Sequence, residues 1–134
     1  MDFELETNTI WSFPERGKWA THDAKYRGNF SPHIAKNIIL RYSKENDTVL
    51  DQFVGGGTTL IECKLNNRNA IGIDINPSAV EISRQKLYFD YNDKPQIEIY
   101  QGNALSLDKI NDNSIDLICT HPPLCQYYKI QRRY

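Results

Sequence analysis

Thr48-Val49-Leu50-Asp51-Gln52-Phe53-Val54-Gly55-Gly56-Gly57-Thr58-Thr59 is the stretch of this 134-residue chain whose reading decides its fold. Thr48 to Asp51 is a short apolar run closed by an acid, the pattern of a buried strand. Three glycines follow, and Thr58 to Leu65 then reads as a helix. Glycine lets the backbone turn sharply and approach a ligand with no side chain in the way. Downstream, Asn69 to Asp74 is a second apolar strand. Pro77 opens another helix, with Val80, Ile82, Leu87 and Phe89 as its apolar members. Ile97-Glu98-Ile99-Tyr100 alternates as a third strand, and Ile115 to Cys119 is a fourth that ends at Thr120-His121-Pro122-Pro123. Strands and helices in this alternation predict an open α/β sheet of about four parallel strands joined by right-handed crossovers.

Upstream of the glycines, a helix begins at Ser31-Pro32, with serine suited to the N-cap and proline to the first turn. Ile34, Ile38, Ile39 and Tyr42 give it one apolar face. Residues 1–30 hold Trp11, Phe13, Trp19, Tyr26 and Phe30 among prolines, glycines and charges, without periodicity. They read as an extended arm that packs its aromatics onto a core, ahead of an α/β domain over residues 31–134. A doubly wound sheet has about six strands, so this one reads as truncated after the Pro-Pro loop.

Composition narrows the function classes. Hydrophobic residues make up 40% and charged residues 25%, as in a folded soluble protein. No run reaches about 18 apolar residues, so no membrane span is expected. The acidic N-terminus does not read as a secretory leader, so secretion is not expected. The three cysteines, Cys63, Cys119 and Cys125, follow no zinc or disulfide spacing. A reduced, metal-free, cytoplasmic protein is expected. Sixteen Lys and Arg against 17 Asp and Glu leave a net charge of −1. Basic residues gather only at Arg16, Lys18, Lys25 and Arg27, and at Lys129, Arg132 and Arg133. A protein that grips a duplex unaided carries a basic face, so work on nucleic acid would need another segment or subunit for much of the grip.

The chemistry sits at the strand ends. The first helical residues after Gly57 present amide N–H groups and the positive end of a helix dipole. Asp74, closing the next strand, stands where a carboxylate takes the two ribose hydroxyls of an adenosine. Asn103, after the third strand, can flank the adenine ring, and Asp51 can meet the amino group of a methionine moiety. A nicotinamide cofactor fits less well, because the turn departs from Gly-Xaa-Gly-Xaa-Xaa-Gly. At His121-Pro122-Pro123, beyond the carboxyl end of the fourth strand, two prolines fix the backbone so that a carbonyl can aim at a substrate amine.

The ordered series Tyr26-Arg27-Gly28-Asn29-Phe30-Ser31-Pro32, Asp51 to Thr59, Gly72-Ile73-Asp74-Ile75-Asn76-Pro77, Gly102-Asn103-Ala104 and His121-Pro122-Pro123 resembles the amino-group DNA methyltransferases. These enzymes methylate cytosine N4 or adenine N6. The resemblance implies an incomplete Rossmann-like, S-adenosylmethionine-dependent methyltransferase fold. It implies that Phe53, Gly55 and Gly57 line the cofactor, with Thr58 and Thr59 near its methionine end. Asn29 and Ser31 would contribute from the N-terminal motif. Asp74 would hold the ribose with Ile75 beside it, and Asn103 and Ala104 would sit by the adenine. His121, Pro122 and Pro123 would form the catalytic loop, whose acceptors hydrogen-bond the target amino group of a base flipped out of duplex DNA. Three positions depart from the family pattern. His121 replaces an acid or serine, Leu124 replaces a stacking aromatic that Tyr127 or Tyr128 would have to supply, and Gln52 replaces a proline. The implied partners are DNA and a second copy, or a complementing polypeptide, that brings the remaining strands and the recognition region. A silent truncated cofactor-binding domain, or a methyltransferase for RNA or another amine, are the alternative readings.

Overall fold

The computed structural model describes residues 3–91 and 94–123. Its sheet contains β1 (Thr48–Asp51), β2 (Asn69–Asp74), β3 (Ile97–Gln101) and β4 (Leu117–Ile118) in the order β3-β2-β1-β4. Every neighbouring pair is parallel, with Thr48 opposite Asn69, Asp74 opposite Gln101 and Val49 opposite Leu117. The open parallel α/β architecture read from the sequence is present. Strand order reverses between β1 and β4, which opens a crevice beyond their carboxyl ends.

Among the described residues three helices accompany the strands: α1 (Pro32–Tyr42), α2 (Thr58–Leu65) and α3 (Pro77–Leu87). Helix α1 packs on α2, α2 on β1 and β2, and α3 on β2 and β3. The core joins Val49 and Leu50 of β1, Ala70 and Ile73 of β2, Leu60, Ile61 and Cys63 of α2, and Ala35 and Ile39 of α1. Fully burying one side chain such as Leu60 contributes roughly 2 kcal/mol. Helix α2 is buried from Thr58 through Cys63, so it sits inside the molecule rather than on its surface. That position lets its N-terminus end at the crevice.

Four details differ from the sequence reading. Tyr42 is 65% exposed, and the buried line of α1 runs through Pro32, Ala35 and Ile39. Ile34, Ile38 and Tyr42 share a helical row, but the small Ala35 allows the closer approach to α2. Ser31 occupies the N-cap position without a side-chain cap; its hydroxyl donates to the Arg16 carbonyl at 2.9 Å. Helix α3 stops at Leu87, leaving Phe89 beyond it, where the Lys64 ammonium lies 4.3 Å from the ring centroid. Strand β4 covers two residues rather than five. Its ladder is flanked by Asp116 N–H donating to Thr48 O and Cys119 N–H donating to Leu50 O.

Residues 3–31 contribute no helix or strand among the described residues, yet this segment is pinned along its length. The buried Asn37 amide accepts from Glu6 N–H and donates to the His33 carbonyl, both at 2.9 Å. Phe13 stacks on His33 at 4.7 Å. The Trp19 indole donates to Glu62 Oε1 of α2 at 2.6 Å, His22 Nε2 is hydrogen-bonded to the same oxygen at 2.7 Å, and Glu62 is fully buried. Lys86 of α3 pairs with Asp23 at 2.8 Å. These contacts deliver the next stretch, residues 26–30, to the glycine turn.

Candidate active site

The glycine turn leaves β1 and enters α2 through Gly55 (φ +51°) and Gly57 (φ +86°), the left-handed region that other residues adopt only with strain. Gly57 is the N-cap of α2. The turn runs alongside the end of β2. Val54 N–H donates to the Ile73 carbonyl at 2.9 Å, and Gly55 N–H donates to Asp74 Oδ2 at 2.9 Å. The other carboxylate oxygen, Oδ1, accepts from Asn76 N–H at 2.9 Å. The two features that the sequence places at successive strand ends are therefore in direct contact. Asn76 then caps α3 by accepting from Ser78 N–H at 3.0 Å.

A residue that sequence reasoning missed fixes this turn from behind. Ser83 of α3 is fully buried, and its hydroxyl donates to the Gly55 carbonyl at 2.7 Å. The available signal was a hydroxyl within the otherwise apolar row of Ala79, Val80 and Ser83. From the front, the arm closes onto the turn. A Cβ built on Gly56 would lie 2.9 Å from Tyr26 Cβ and 3.0 Å from the Asn29 amide. Asn29 Oδ1 accepts from the Thr58 hydroxyl at 2.9 Å. Glycine is required there for the arm to approach.

Asp51 is only 1% exposed. Its Oδ1 accepts from Phe53 N–H at 3.1 Å and from the Thr120 hydroxyl at 2.6 Å. Burial raises its pKa, while the hydrogen bonds of Thr120, Thr59 and Phe53 oppose the rise. Thr59 is buried as well, and its hydroxyl donates to the Cys119 carbonyl at 3.3 Å. Asp51 and Thr59 thus tie β1 and α2 to the end of β4. Gln52 Oε1 is buried with no hydrogen-bond partner among the described residues.

His121, Pro122 and Pro123 are exposed beyond β4. The His121 ring stacks on Phe30 of the arm, at 5.3 Å and 22°. On the far side of Asp74, Gly102 N–H donates to the Asp74 carbonyl at 3.0 Å, which brings the loop after β3 alongside. In that loop Asn103 is exposed and its Oδ1 accepts from Leu105 N–H at 2.9 Å, while Ala104 is half-buried. Ile75 is 56% exposed beside Asp74. Phe53 is half-buried in the turn. Leu124, Tyr127 and Tyr128, the positions tied to base stacking, lie outside the described residues, as do Lys129, Arg132 and Arg133. No group of three His, Cys, Asp or Glu side chains suited to a metal occurs among the described residues.

A parallel sheet whose first glycine turn contacts the acid of the next strand defines a Rossmann-like fold of the S-adenosylmethionine-dependent methyltransferase type. The solved structure of a SAM-dependent methyltransferase from Methanosarcina mazei is similar to this chain. Its TM-score is 0.53 at 31% identity, covering 60% of this chain and 39% of that one. A methyltransferase-domain family matches residues 50–132, and the DNA methylase family matches residues 2–85. The chain belongs to the DNA methylase family, that of the amino-group enzymes which the sequence resembles. The Type II methyltransferase M.MjaII of Methanocaldococcus jannaschii is 34% identical over 111 residues, 83% of this chain and 19% of that protein. The Type II methyltransferase M.HpaI of Haemophilus parainfluenzae is 35% identical over 92 residues, 63% of this chain and 27% of that protein. The chain thus spans well under a third of either relative. Among the described residues, no helix is long and apolar enough to cross a membrane.

Proposed function

We propose that this chain is the cofactor-binding part of a cytoplasmic, S-adenosylmethionine-dependent DNA methyltransferase that acts on the exocyclic amino group of cytosine (N4) or adenine (N6). The observation that carries the reading is the 2.9 Å bond from Gly55 N–H to Asp74 Oδ2. It gathers turn and acid into one place, while His121-Pro122-Pro123 follows the strand on the other side of β1.

The residues present fit S-adenosylmethionine. Each Asp74 oxygen accepts one backbone N–H. A carboxylate has about four acceptor sites, so capacity remains for two ribose hydroxyls. Gly55 and Gly57 carry the turn, without side chains, to the positive end of α2, with Phe53 beside them and Asn29 and Ser31 supporting from the arm. Thr58 acts through Asn29, and Thr59 through the β4 end. The unpartnered Gln52 Oε1 offers an acceptor next to the turn, a task that the sequence alone points to for Asp51. Ile75 and Ala104 give the adenine an apolar edge, and Asn103 flanks it. Bound there, S-adenosylmethionine supplies an electrophilic methyl group.

At the catalytic loop, a His121 ring nitrogen and a carbonyl of the Pro122-Pro123 segment accept hydrogen bonds from the target amino group. These acceptors favour the positive charge that develops on that nitrogen as it gains a methyl group. Phe30 keeps the imidazole in place. Duplex DNA with its target base flipped is the acceptor. Among the described residues β4 pairs only with β1, and its other edge would receive a second copy or a complementing polypeptide that carries recognition.

Calorimetry with S-adenosylhomocysteine tests the cofactor half, with saturable heat expected; folded protein giving none overturns it. Incorporation of labelled methyl groups is then compared on DNA and RNA. Label in DNA supports the reading, label in RNA alone moves the acceptor, and heat without label leaves a silent cofactor-binding domain. A clean monomer in size-exclusion chromatography at high concentration removes the homodimer.

A further inference from the structure

We propose that Thr120 is a positioning residue for the catalytic loop: its hydroxyl, anchored on Asp51, sets where the His121 ring stands to meet the target amine. This inference rests on the reading of His121-Pro122-Pro123 as that loop. It starts from the shortness of β4. The ladder with β1 covers Leu117 and Ile118 and closes with Cys119 N–H donating to the Leu50 carbonyl at 3.0 Å. His121, Pro122 and Pro123 follow, exposed, and the two prolines have no N–H with which to continue a ladder. Backbone pairing alone does not fix the loop.

Side chains take over where the ladder stops. The Thr120 hydroxyl donates to Asp51 Oδ1 at 2.6 Å, a contact between residues 69 positions apart. One residue earlier, the Thr59 hydroxyl of α2 donates to the Cys119 carbonyl at 3.3 Å. Asp51 closes β1 and is 1% exposed, and the same Oδ1 accepts from Phe53 N–H at 3.1 Å. A buried acceptor holding two donors is a firm anchor, because breaking either bond leaves a polar group unsatisfied away from water. In front of the loop, the His121 ring stacks on Phe30 at 5.3 Å and 22°. A stack sets the plane of a ring but lets it slide across its partner. The Thr120 bond stops that slide, because it fixes the residue next to the ring. Through Phe53 the anchor also lies one hydrogen bond from the glycine turn, so turn and loop share one reference point.

The test compares wild type, Thr120→Val and Thr120→Ser in the full chain, by NMR of the histidine ring protons and by methyl transfer to DNA. The chain has three histidines, and Phe30→Leu identifies the His121 signal as the one that the Phe30 ring displaces. Thr120→Val keeps the shape and removes the hydroxyl. Its His121 signal is expected to move toward the position seen in Phe30→Leu, and kcat to fall about tenfold with the cofactor KM within about twofold. Thr120→Ser restores the donor and is expected to recover both. Thr120→Ala, recorded alongside, carries the same expectation as the valine variant if that one fails to fold. An unmoved His121 signal in the folded variant without the hydroxyl, or a serine variant no better than it, overturns this inference alone. Wild-type protein that transfers no methyl group removes the catalytic-loop reading and the inference with it.

Discussion

Asp51 sits among donors, accepting from Thr120 and Phe53, in a place that water hardly reaches. Burial is the largest influence on this carboxyl and raises its pKa above the ordinary 3.8. A raised carboxyl keeps its proton in the folded chain at pH values where the unfolded chain has released it. Stability therefore falls as pH climbs past the unfolded value. In Asp51→Asn the amide oxygen keeps both accepting bonds and the ionisation is gone. We expect urea midpoints of the wild type to decline relative to Asp51→Asn as pH rises above about 4, with the variant at least as stable at neutral pH. Parallel pH profiles would refute this account. Ser83 gives a second residue-scale expectation. Ser83→Ala leaves the Gly55 carbonyl without its 2.7 Å donor, which should lower stability by about 1–2 kcal/mol and weaken S-adenosylhomocysteine severalfold. If calorimetry finds the affinity intact, Ser83 does not shape the turn.

The arm is an element without regular structure, so its stability depends on a few side-chain anchors. Glu62 is the deepest, receiving the Trp19 indole and His22 Nε2 on one oxygen and the Asn66 amide on the other at 3.2 Å. In Glu62→Ala these donors lose their partner deep in the fold, and a loss of about 3 kcal/mol is expected in urea unfolding. Amide hydrogen exchange should rise across residues 19–30 before it rises in β1 and β2; uniform loss of protection would mean that Glu62 supports the core and not the arm. None of this was legible in the sequence. Trp19, His22 and Glu62 lie some forty positions apart at their widest, and no periodicity links an aperiodic arm to a helix. The regular elements were far more legible. β1, α2 and β2 occupy the residues that the sequence assigns to them, because apolar runs, a glycine turn and a strand-closing acid are local signals. The α1 face was misread at Tyr42, since helical spacing identifies rows of residues but not which row a neighbour covers.

At the scale of the whole molecule, the sheet order places the glycine turn, Asp74 and the Pro-Pro loop at one end of three adjacent strands. Sequence order alone implied this, because a parallel sheet collects its strand ends on one side. The arm's place in front of that end, through Tyr26, Asn29 and Phe30, came only with the structure. Ligand binding there should stabilise the fold as a unit. At S-adenosylhomocysteine concentrations 100-fold above Kd the gain is about 2.7 kcal/mol, and the melting temperature should rise by roughly 10 °C. A shift near zero under saturating ligand would separate the site from the cooperative core. The charge balance leads to the last expectation. With 16 basic and 17 acidic residues, the chain cannot release many counterions by neutralising phosphates, and counterion release is what drives sequence-independent DNA affinity. Fluorescence anisotropy with a labelled duplex near physiological salt should therefore give a Kd weaker than about 10 μM and a shallow dependence on salt. A submicromolar Kd that collapses with added salt would place a phosphate-binding face on this chain itself and make a recognition partner unnecessary for DNA affinity.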